Sequence, residues 1–287
     1  MKNLSVIILS YNTKDLTVQT LDSVKESLSK TPHLSYEIIV IDNGSSDGSV
    51  DTLKKYKGIH FIDHKENVGF GSANNIGVKH ATGEYILLLN SDTIVDNVNF
   101  EKLLGVMKSH ETIGLLTVKL LLPDGSIDPA SHRGFPTLWR SLTYFSKLEK
   151  ATASIPLLNR LFGGYHLTHL NREIAHEIDS PSGAFFLIPK NVYDEVKGFD
   201  ELFFMYGEDL DLAYRIKDLG YKIWYYPDMS IIHIKGQSGR KNTDSTKKSA
   251  TQKHFVEAMR IFYKKHYEQM YPGMINRMVY WYLDSKV

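Results

Sequence analysis

The feature that most restricts this chain's fold is an alternation within residues 1–114. Short apolar runs take turns there with stretches of helical period. Residues 6–9, 36–41, 59–63 and 85–89 read as strands. Residues 15–28, 47–56 and 71–80 read as helices, with Asp47 as the expected N-cap of the second and Gly83 breaking the chain after the third. The run at 85–89 is unbroken by charge, which suits a strand covered on both faces. The expectation is therefore a parallel, Rossmann-like sheet. Ligands of such sheets sit beyond the carboxyl ends of the strands. Here those ends are polar: Ser10-Tyr11-Asn12, then Asp42-Asn43-Gly44-Ser45-Ser46-Asp47, then Asn90-Ser91-Asp92.

The pattern changes in the second half. A strand at 115–122 is followed by a turn at 123–126, "PDGS". Residues 132–178 have no clear period. Strand character returns at 184–189, and 208–220 reads as a helix closed by Gly220. "YKIWYYP" and "SIIHI" read as two further strands. A lysine-rich polar stretch then runs to Lys253, and helical patterns follow.

Composition excludes several classes. The 287 residues are 42% hydrophobic and 23% charged, as expected of a globular core. A net charge of +1 gives no global field for nucleic acid. The absence of cysteine removes disulfides, thiolate metal sites and cysteine nucleophiles. No run approaches the ~18 apolar residues of a membrane span. The opening "MKNLSVIILSYN" lacks a cleavage site and reads as a strand rather than a signal peptide. The expected location is the cytoplasm, or the inner surface of the cell membrane as a peripheral protein.

The polar strand ends suit a nucleotide. Tyr11 can stack on a base, and Asp42 or Asn43 can hydrogen-bond its edge. Asp92 can hold a hard divalent cation against a diphosphate. Each residue alone is ordinary turn chemistry; it is their joint position that points to a site. "NVGFGSANNIG", residues 67–77, fails as a dinucleotide fingerprint because Asn74 stands at the last glycine position. Its small residues can still let a phosphate or sugar approach the backbone. "GFDELFFMYGEDLDLAYR", residues 198–215, sets Glu208, Asp209 and Asp211 behind an aromatic run. Burial of that kind makes a carboxylate more basic. His233 precedes a loop containing Lys235, Gln237, Ser238 and Arg240, a set able to close over a diphosphate.

In order, "VIILSYN", "IDNGSSDGS", "NVGFGSANNIG", "LLLNSDT", "SGAFFLIPK", "GFDELFFMYGEDLDLAYR" and "IIHIKGQS" resemble glycosyltransferase family 2, whose members have the GT-A fold. The resemblance spans about residues 6–238 and is most similar to the bacterial rhamnosyltransferase-like branch, which builds cell-surface polysaccharide such as O-antigen. It implies an α/β GT-A domain over residues 1–238 with a mixed central sheet. Residues 1–114 would be the nucleotide-sugar half and 115–238 the acceptor and catalytic half; 239–287 would be a C-terminal helical extension.

By the same resemblance Ser10, Tyr11, Asn12, Asp42, Asn43, Asn67, Gly69, Asn74, Asn90 and Ser91 would face the nucleotide sugar. Asp92, the last carboxylate of a D-x-D motif, and His233 would hold Mg²⁺ or Mn²⁺. Lys235 and Arg240 would assist at the diphosphate. Asp209 would be the catalytic base of an inverting transfer, supported by Glu208. The chain departs from the pattern at Asn90, where a carboxylate is missing, and at Asn43, where other members carry Asp. One carboxylate with diphosphate oxygens can still hold such ions, which keep several waters. The implied partners are a dTDP- or UDP-linked sugar donor and a glycan or lipid-linked acceptor, with a membrane surface nearby and no nucleic acid. The sugar is open among rhamnose, galactose, glucose and an amino sugar. Residues 132–178 and the aromatic, basic tail are the natural acceptor side.

Two rival readings have distinct signatures. A sugar nucleotidyltransferase needs a glycine-rich loop after the first strand, and "SYNTKD" has no glycine. A non-catalytic, transferase-like scaffold would keep partner binding without turnover; the intact Glu208-Asp209 pair argues against it.

Overall fold

The apolar runs of the N-terminal half form β1 (Lys2–Ser10), β2 (Tyr36–Asn43), β3 (His60–His64) and β4 (Gly83–Asn90). A computed structural model describes residues 2–235 and 245–286. β1 pairs in parallel with β2 and β4, and β2 with β3. Helices α1 (Lys14–Ser29), α2 (Ser49–Lys55) and α3 (Phe70–Lys79) make the crossovers. Side chains of a strand alternate between faces. Accordingly Val6 and Ile8 join the α1 residues Leu21, Val24 and Leu28 in one core, while Ile7 joins Ala73 and Val78 of α3 in the other. Each fully buried Leu, Ile or Val contributes about 1.5–3 kcal/mol.

The register levels the strand ends. Leu9 lies opposite both Ile41 and Asn90, and Ser10 opposite Asp42. The polar residues that follow the strands are therefore delivered to one edge of the sheet.

The rest of the sheet is mixed. It adds β5 (Thr93–Ile94), β6 (Ile113–Leu121), β7 (His176–Ile178), β8 (Phe185–Pro189) and β9 (Lys222–His233). The order is β3-β2-β1-β4-β8-β6-β9-β5, with β7 also on β9. β4 and β8 run antiparallel, whereas β6 and β9 run parallel. α4 (Phe100–Ser109) packs Phe100, Leu103 and Met107 into the first core.

Two local expectations are corrected, and the stretch without a clear period resolves into short elements. "YKIWYYP" and "SIIHI" are one strand, β9. Its register against β6 jumps from Val118↔Tyr226 to Lys119↔Ser230, so Pro227, which has no N–H for a ladder, falls in the bulge. Asp47 does not cap α2, whose N-cap is Gly48 with φ 86°. The Asp47 carboxylate instead accepts from the Ser49 N–H at 3.0 Å and, across the loop, from the Lys14 N–H at 2.9 Å. Residues 132–178 are not structureless. They form α5 (Leu138–Phe145), α6 (Leu148–Ala151) and α7 (Pro156–Phe162), each too short to show a helical period over a long window.

After α8 (Lys190–Glu195) comes α9 (Glu208–Asp218), and the described chain closes with α10 (Ser245–His266) and α11 (Gly273–Asp284). Phe203, Ala258, Phe262, Tyr263 and Tyr267 form a third core that seats α10 beside α9. Asp211 secures the same junction. Its fully buried carboxylate takes Arg215 at 2.8 Å, Lys265 at 2.8 Å and His266 at 2.7 Å. Burial opposes its ionisation, but the His266 hydrogen bond and the Arg215 charge win and lower its pKa to about 2. The acidic cluster is thus divided: Asp211 holds helices together, while Glu208 and Asp209 face a cavity.

Candidate active site

A cavity of about 1030 Å³ lies over the edge where the strands end. Tyr11, Asn43, Asn67, Gly69, Asn90, Ser91, Asp92, Glu208, Asp209, His233 and Lys235 all line it. Ser10, Asn12, Asp42 and Asn74 do not. Ser10 accepts from the Thr17 hydroxyl at 3.2 Å. Asn12, with φ 53°, accepts from the Ser46 N–H at 2.8 Å and so joins the first two loops. Asp42 accepts from the Ser45 N–H at 2.8 Å and keeps its other oxygen buried without a partner. Asn74 donates to the Phe70 carbonyl inside α3 at 2.9 Å. Arg240 lies outside the described residues.

Asn43 has a double position. Its carbonyl accepts from the Val68 N–H at 3.1 Å and its amide donates to Asn67 at 3.0 Å, so the end of β2 fixes the 67–69 turn while lining the cavity. At Gly69, φ 87°, an added Cβ would collide with the Phe204 carbonyl. That carbonyl accepts from the Phe70 N–H at 3.0 Å. The close backbone approach read from "NVGFG" is thus to the chain itself, and it locks the start of α3 to the segment leading into α9.

One end of the cavity carries a line of alternating charge. β5 pairs with β9 so that Thr93 faces His233, and the Ile234 N–H donates to the Asp92 carbonyl at 2.8 Å. This sets the His233 Nε2 3.3 Å from the Asp92 Oδ1. On the other side of the ring, Nδ1 donates to Asp128 Oδ2 at 3.0 Å, and Lys235 Nζ reaches Asp128 Oδ1 at 2.6 Å. Burial works against charge on His233, but the hydrogen bonds to Asp128 and Asp92 outweigh it and hold its pKa up at about 9. Burial likewise opposes charge on Asp128, and His233 with Lys235 pulls it well below the usual carboxylate range. A divalent cation fits this end. Asp92 supplies a hard oxygen, and Asp128 orients the His233 ring; Nε2, which faces Asp92 while the ring is charged, could ligate a cation only after giving up its proton. The neighbouring Asn90 Oδ1 is buried without a partner. Among the described residues no group of three or more His, Cys, Asp or Glu is placed to hold a metal. Oxygens of a bound diphosphate would have to complete the shell.

The other chemical group sits at the start of α9. Tyr206 and Gly207, with φ 70° and 78°, turn the aromatic approach into the helix. Glu208 and Asp209 fall in its first turn, where the helix dipole favours negative charge. Asp209 Oδ2 accepts from Arg133 Nη2 at 2.5 Å, and Oδ1 accepts from the Leu210 N–H at 2.8 Å. Burial alone would depress the Arg133 pKa; the charge of Asp209 and the contact with Tyr165 raise it instead. Glu208 is buried, with Oε2 unpartnered. Burial, then the Asp209 charge, pushes its pKa up to about 8. At neutral pH Glu208 therefore keeps its proton.

Sequence reasoning missed Asp128, Arg133 and Tyr165. Asp128 caps the 3-10 turn Pro129–Ser131 and belongs to none of the motifs read from the sequence. Arg133 and Tyr165 fall in the stretch without a period, where no local signal marks them.

The fold is that of GT-A glycosyltransferases. Mannosyltransferase PcManGT from Pyrobaculum calidifontis, solved in complex with GDP-Man and Mn²⁺, matches with a TM-score of 0.58 at 17% identity, over 92% of this chain and 65% of that one. S. aureus TarS matches with a TM-score of 0.55 at 17% identity, over 90% of this chain and 38% of that one. The sequence profile of glycosyl transferase family 2 covers residues 5–192, more than half of the chain, and the chain belongs to that family. Rhamnosyltransferase WbbL of Escherichia coli (strain K12) is 28% identical over 248 residues, 82% of this chain and 84% of the relative. The N-acetylglucosaminyl-diphospho-decaprenol L-rhamnosyltransferase of Mycobacterium tuberculosis (strain ATCC 25618 / H37Rv) is 25% identical over 224 residues, 74% of this chain and 71% of the relative. The chain is a glycosyltransferase, and the resemblance read from its motifs holds. Among the described residues no helix is long and apolar enough to cross a membrane.

Proposed function

We propose that this chain is an inverting glycosyltransferase of cell-surface polysaccharide synthesis. It moves a hexosyl group, L-rhamnose on the strength of its relatives, from a dTDP or UDP donor to a hydroxyl of a lipid-linked or glycan acceptor. The observation that carries the reading is the joint placement in one cavity of the Asp92–His233–Asp128–Lys235 line and the Glu208-Asp209 pair. One end suits a metal-bound diphosphate; the other offers a carboxylate base. On this reading residues 1–114 bind the donor and 115–238 supply the base and the acceptor side. The extension 239–287 adds helices to the acceptor side, and the protein works in the cytoplasm at the inner face of the membrane.

The chemistry follows from the residues. Asp209 takes the proton of the acceptor hydroxyl. The freed oxygen attacks the anomeric carbon from the face opposite the diphosphate, and the bond to the diphosphate oxygen breaks with inversion. Arg133 fixes the Asp209 carboxylate, so that its remaining lone pairs keep one orientation. Glu208, protonated beside it, adds no second negative charge. Lys235 stands where charge grows on the leaving group. A bound Mg²⁺ or Mn²⁺ would neutralise part of that charge.

The test is a panel of dTDP- and UDP-sugars with Mn²⁺ or Mg²⁺, followed by NMR of the product's anomeric centre. Turnover of one donor with inverted configuration is expected. A product that keeps the donor configuration contradicts the mechanism. Partner binding without turnover of any donor would favour the scaffold reading.

A further inference from the structure

The cavity does not end at the reacting groups. Beyond Asp209 it continues between α5, α10 and α11, where its walls include Leu138, Phe262 and Val279. None of the described residues that these three helices contribute to the lining is charged. A small polar acceptor would have no use for such a wall. The far end is open: Leu142, Phe145 and Met278 line the cavity yet are 58%, 43% and 65% exposed. Phe145 of α5 and Tyr282 of α11 stand across this mouth with ring centroids 5.9 Å apart. The outer surface beside it is apolar too. Met274, Met278 and Trp281 make one stripe on α11, and Met274 and Trp281 are each 74% exposed.

Cations stand beside these residues. Lys147 lies two positions after Phe145 and is exposed, Arg277 precedes Met278 and is exposed, and Lys286 Nζ lies 4.9 Å from the Tyr282 ring centroid. Apolar side chains among basic ones are the composition of a surface that rests on anionic lipid.

We propose that this apolar half of the cavity is a channel for the hydrocarbon chain of a lipid diphosphate acceptor, drawn in through the α5–α11 mouth from an anionic bilayer. The proposal rests on the transferase reading; it selects the lipid-linked acceptor of that reading and adds the place of its hydrocarbon chain. The channel would leave the acceptor's head at Asp209 and its chain among Leu138, Phe262 and Val279. Each methylene buried there should tighten binding about fourfold at most.

The probe is farnesyl diphosphate, with a photoreactive diazirine analogue for mapping. Illumination of the whole protein, followed by peptide mass spectrometry, should place the label on α5 and α11. Farnesyl diphosphate should compete at concentrations at least about tenfold lower than isopentenyl diphosphate or inorganic diphosphate. Leu142→Asp and Met278→Asp, both at exposed positions, should each lower the labelling at least about fivefold while circular dichroism and melting confirm their fold. Labelling that diphosphate alone removes equally well, or labelling confined to the donor end, overturns the channel. A dimer that Leu142→Asp splits, with no farnesyl labelling in either form, assigns this face to a second copy and also overturns it. Donor turnover of the wild type is measured separately. Chain-dependent labelling without turnover of any sugar nucleotide leaves the channel standing and removes the transferase reading; turnover without labelling does the reverse.

Discussion

At the scale of single residues the site divides its acids by environment. Asp209 accepts from Arg133 at the start of α9; Glu208, the residue before it, is buried, and its raised pKa keeps a proton on it at neutral pH. The sign of the resulting pH dependence is fixed. Glu208 has a folded-state pKa raised from 4.5 to about 8, so the folded protein binds the proton more tightly than the unfolded one. Stability from this group is complete below the unfolded value and is lost as pH rises towards about 8. Glu208→Gln should therefore raise the melting temperature at pH 8 relative to wild type, and much less at pH 5. Equal shifts at both pH values would count against a buried, protonated Glu208. Asp128 gives a second residue-scale prediction. Asp128→Ala removes the acceptor that orients His233, and Mn²⁺ affinity in the presence of dTDP or UDP should fall about 10–100-fold. Titration by electron paramagnetic resonance reads this directly, and unchanged affinity would exclude the metal role of this end.

At the scale of elements, α9 connects the site to the helices behind it. Its first turn presents Glu208 and Asp209 to the cavity, and in the same turn Asp211 grips Arg215, Lys265 and His266. Replacing a buried charge partner strands the others, so Asp211→Asn should cost about 3 kcal/mol in urea unfolding at pH 7. The pKa of Asp211 is depressed, so its contribution is present above the unfolded value of 3.8 and fades as pH falls towards about 2. A mutant as stable as wild type at pH 7 would mean that the α9–α10 junction does not depend on this cluster.

The elements also show what a sequence can and cannot tell. β1, β2 and β4 were legible because burial on both faces leaves an unbroken apolar run, and the polar residues after them mark the strand ends. The continuity of β9 was hidden by Pro227, which reads as a break and is absorbed as a bulge. Asp209 was legible from its aromatic approach and its family motif. Arg133, its partner 76 positions away, was not, because only the tertiary fold brings α9 against that loop. Asn12 and Asp42 were grouped with the nucleotide-facing residues, but their side chains hold loop backbone and lie off the cavity lining. Turn geometry and ligand contact draw on the same residue types, and sequence alone does not separate them.

At the scale of the whole molecule, a parallel N-terminal part and a mixed remainder form one sheet, and residues of both line the cavity. Its polar part joins strand ends of the N-terminal half with Asp128, Glu208, Asp209, His233 and Lys235, whereas its apolar part comes from α5, α10 and α11. Such a division suits a reaction between a charged, water-soluble donor and an acceptor of another character. The central claim is that Asp209 is the base that activates the acceptor. Sugar transfer and donor binding should be measured side by side for wild type and Asp209→Asn, using the donor the panel selects. We expect transfer to fall about 10²–10⁴-fold with donor affinity retained. Transfer at the wild-type rate in the mutant would contradict that assignment.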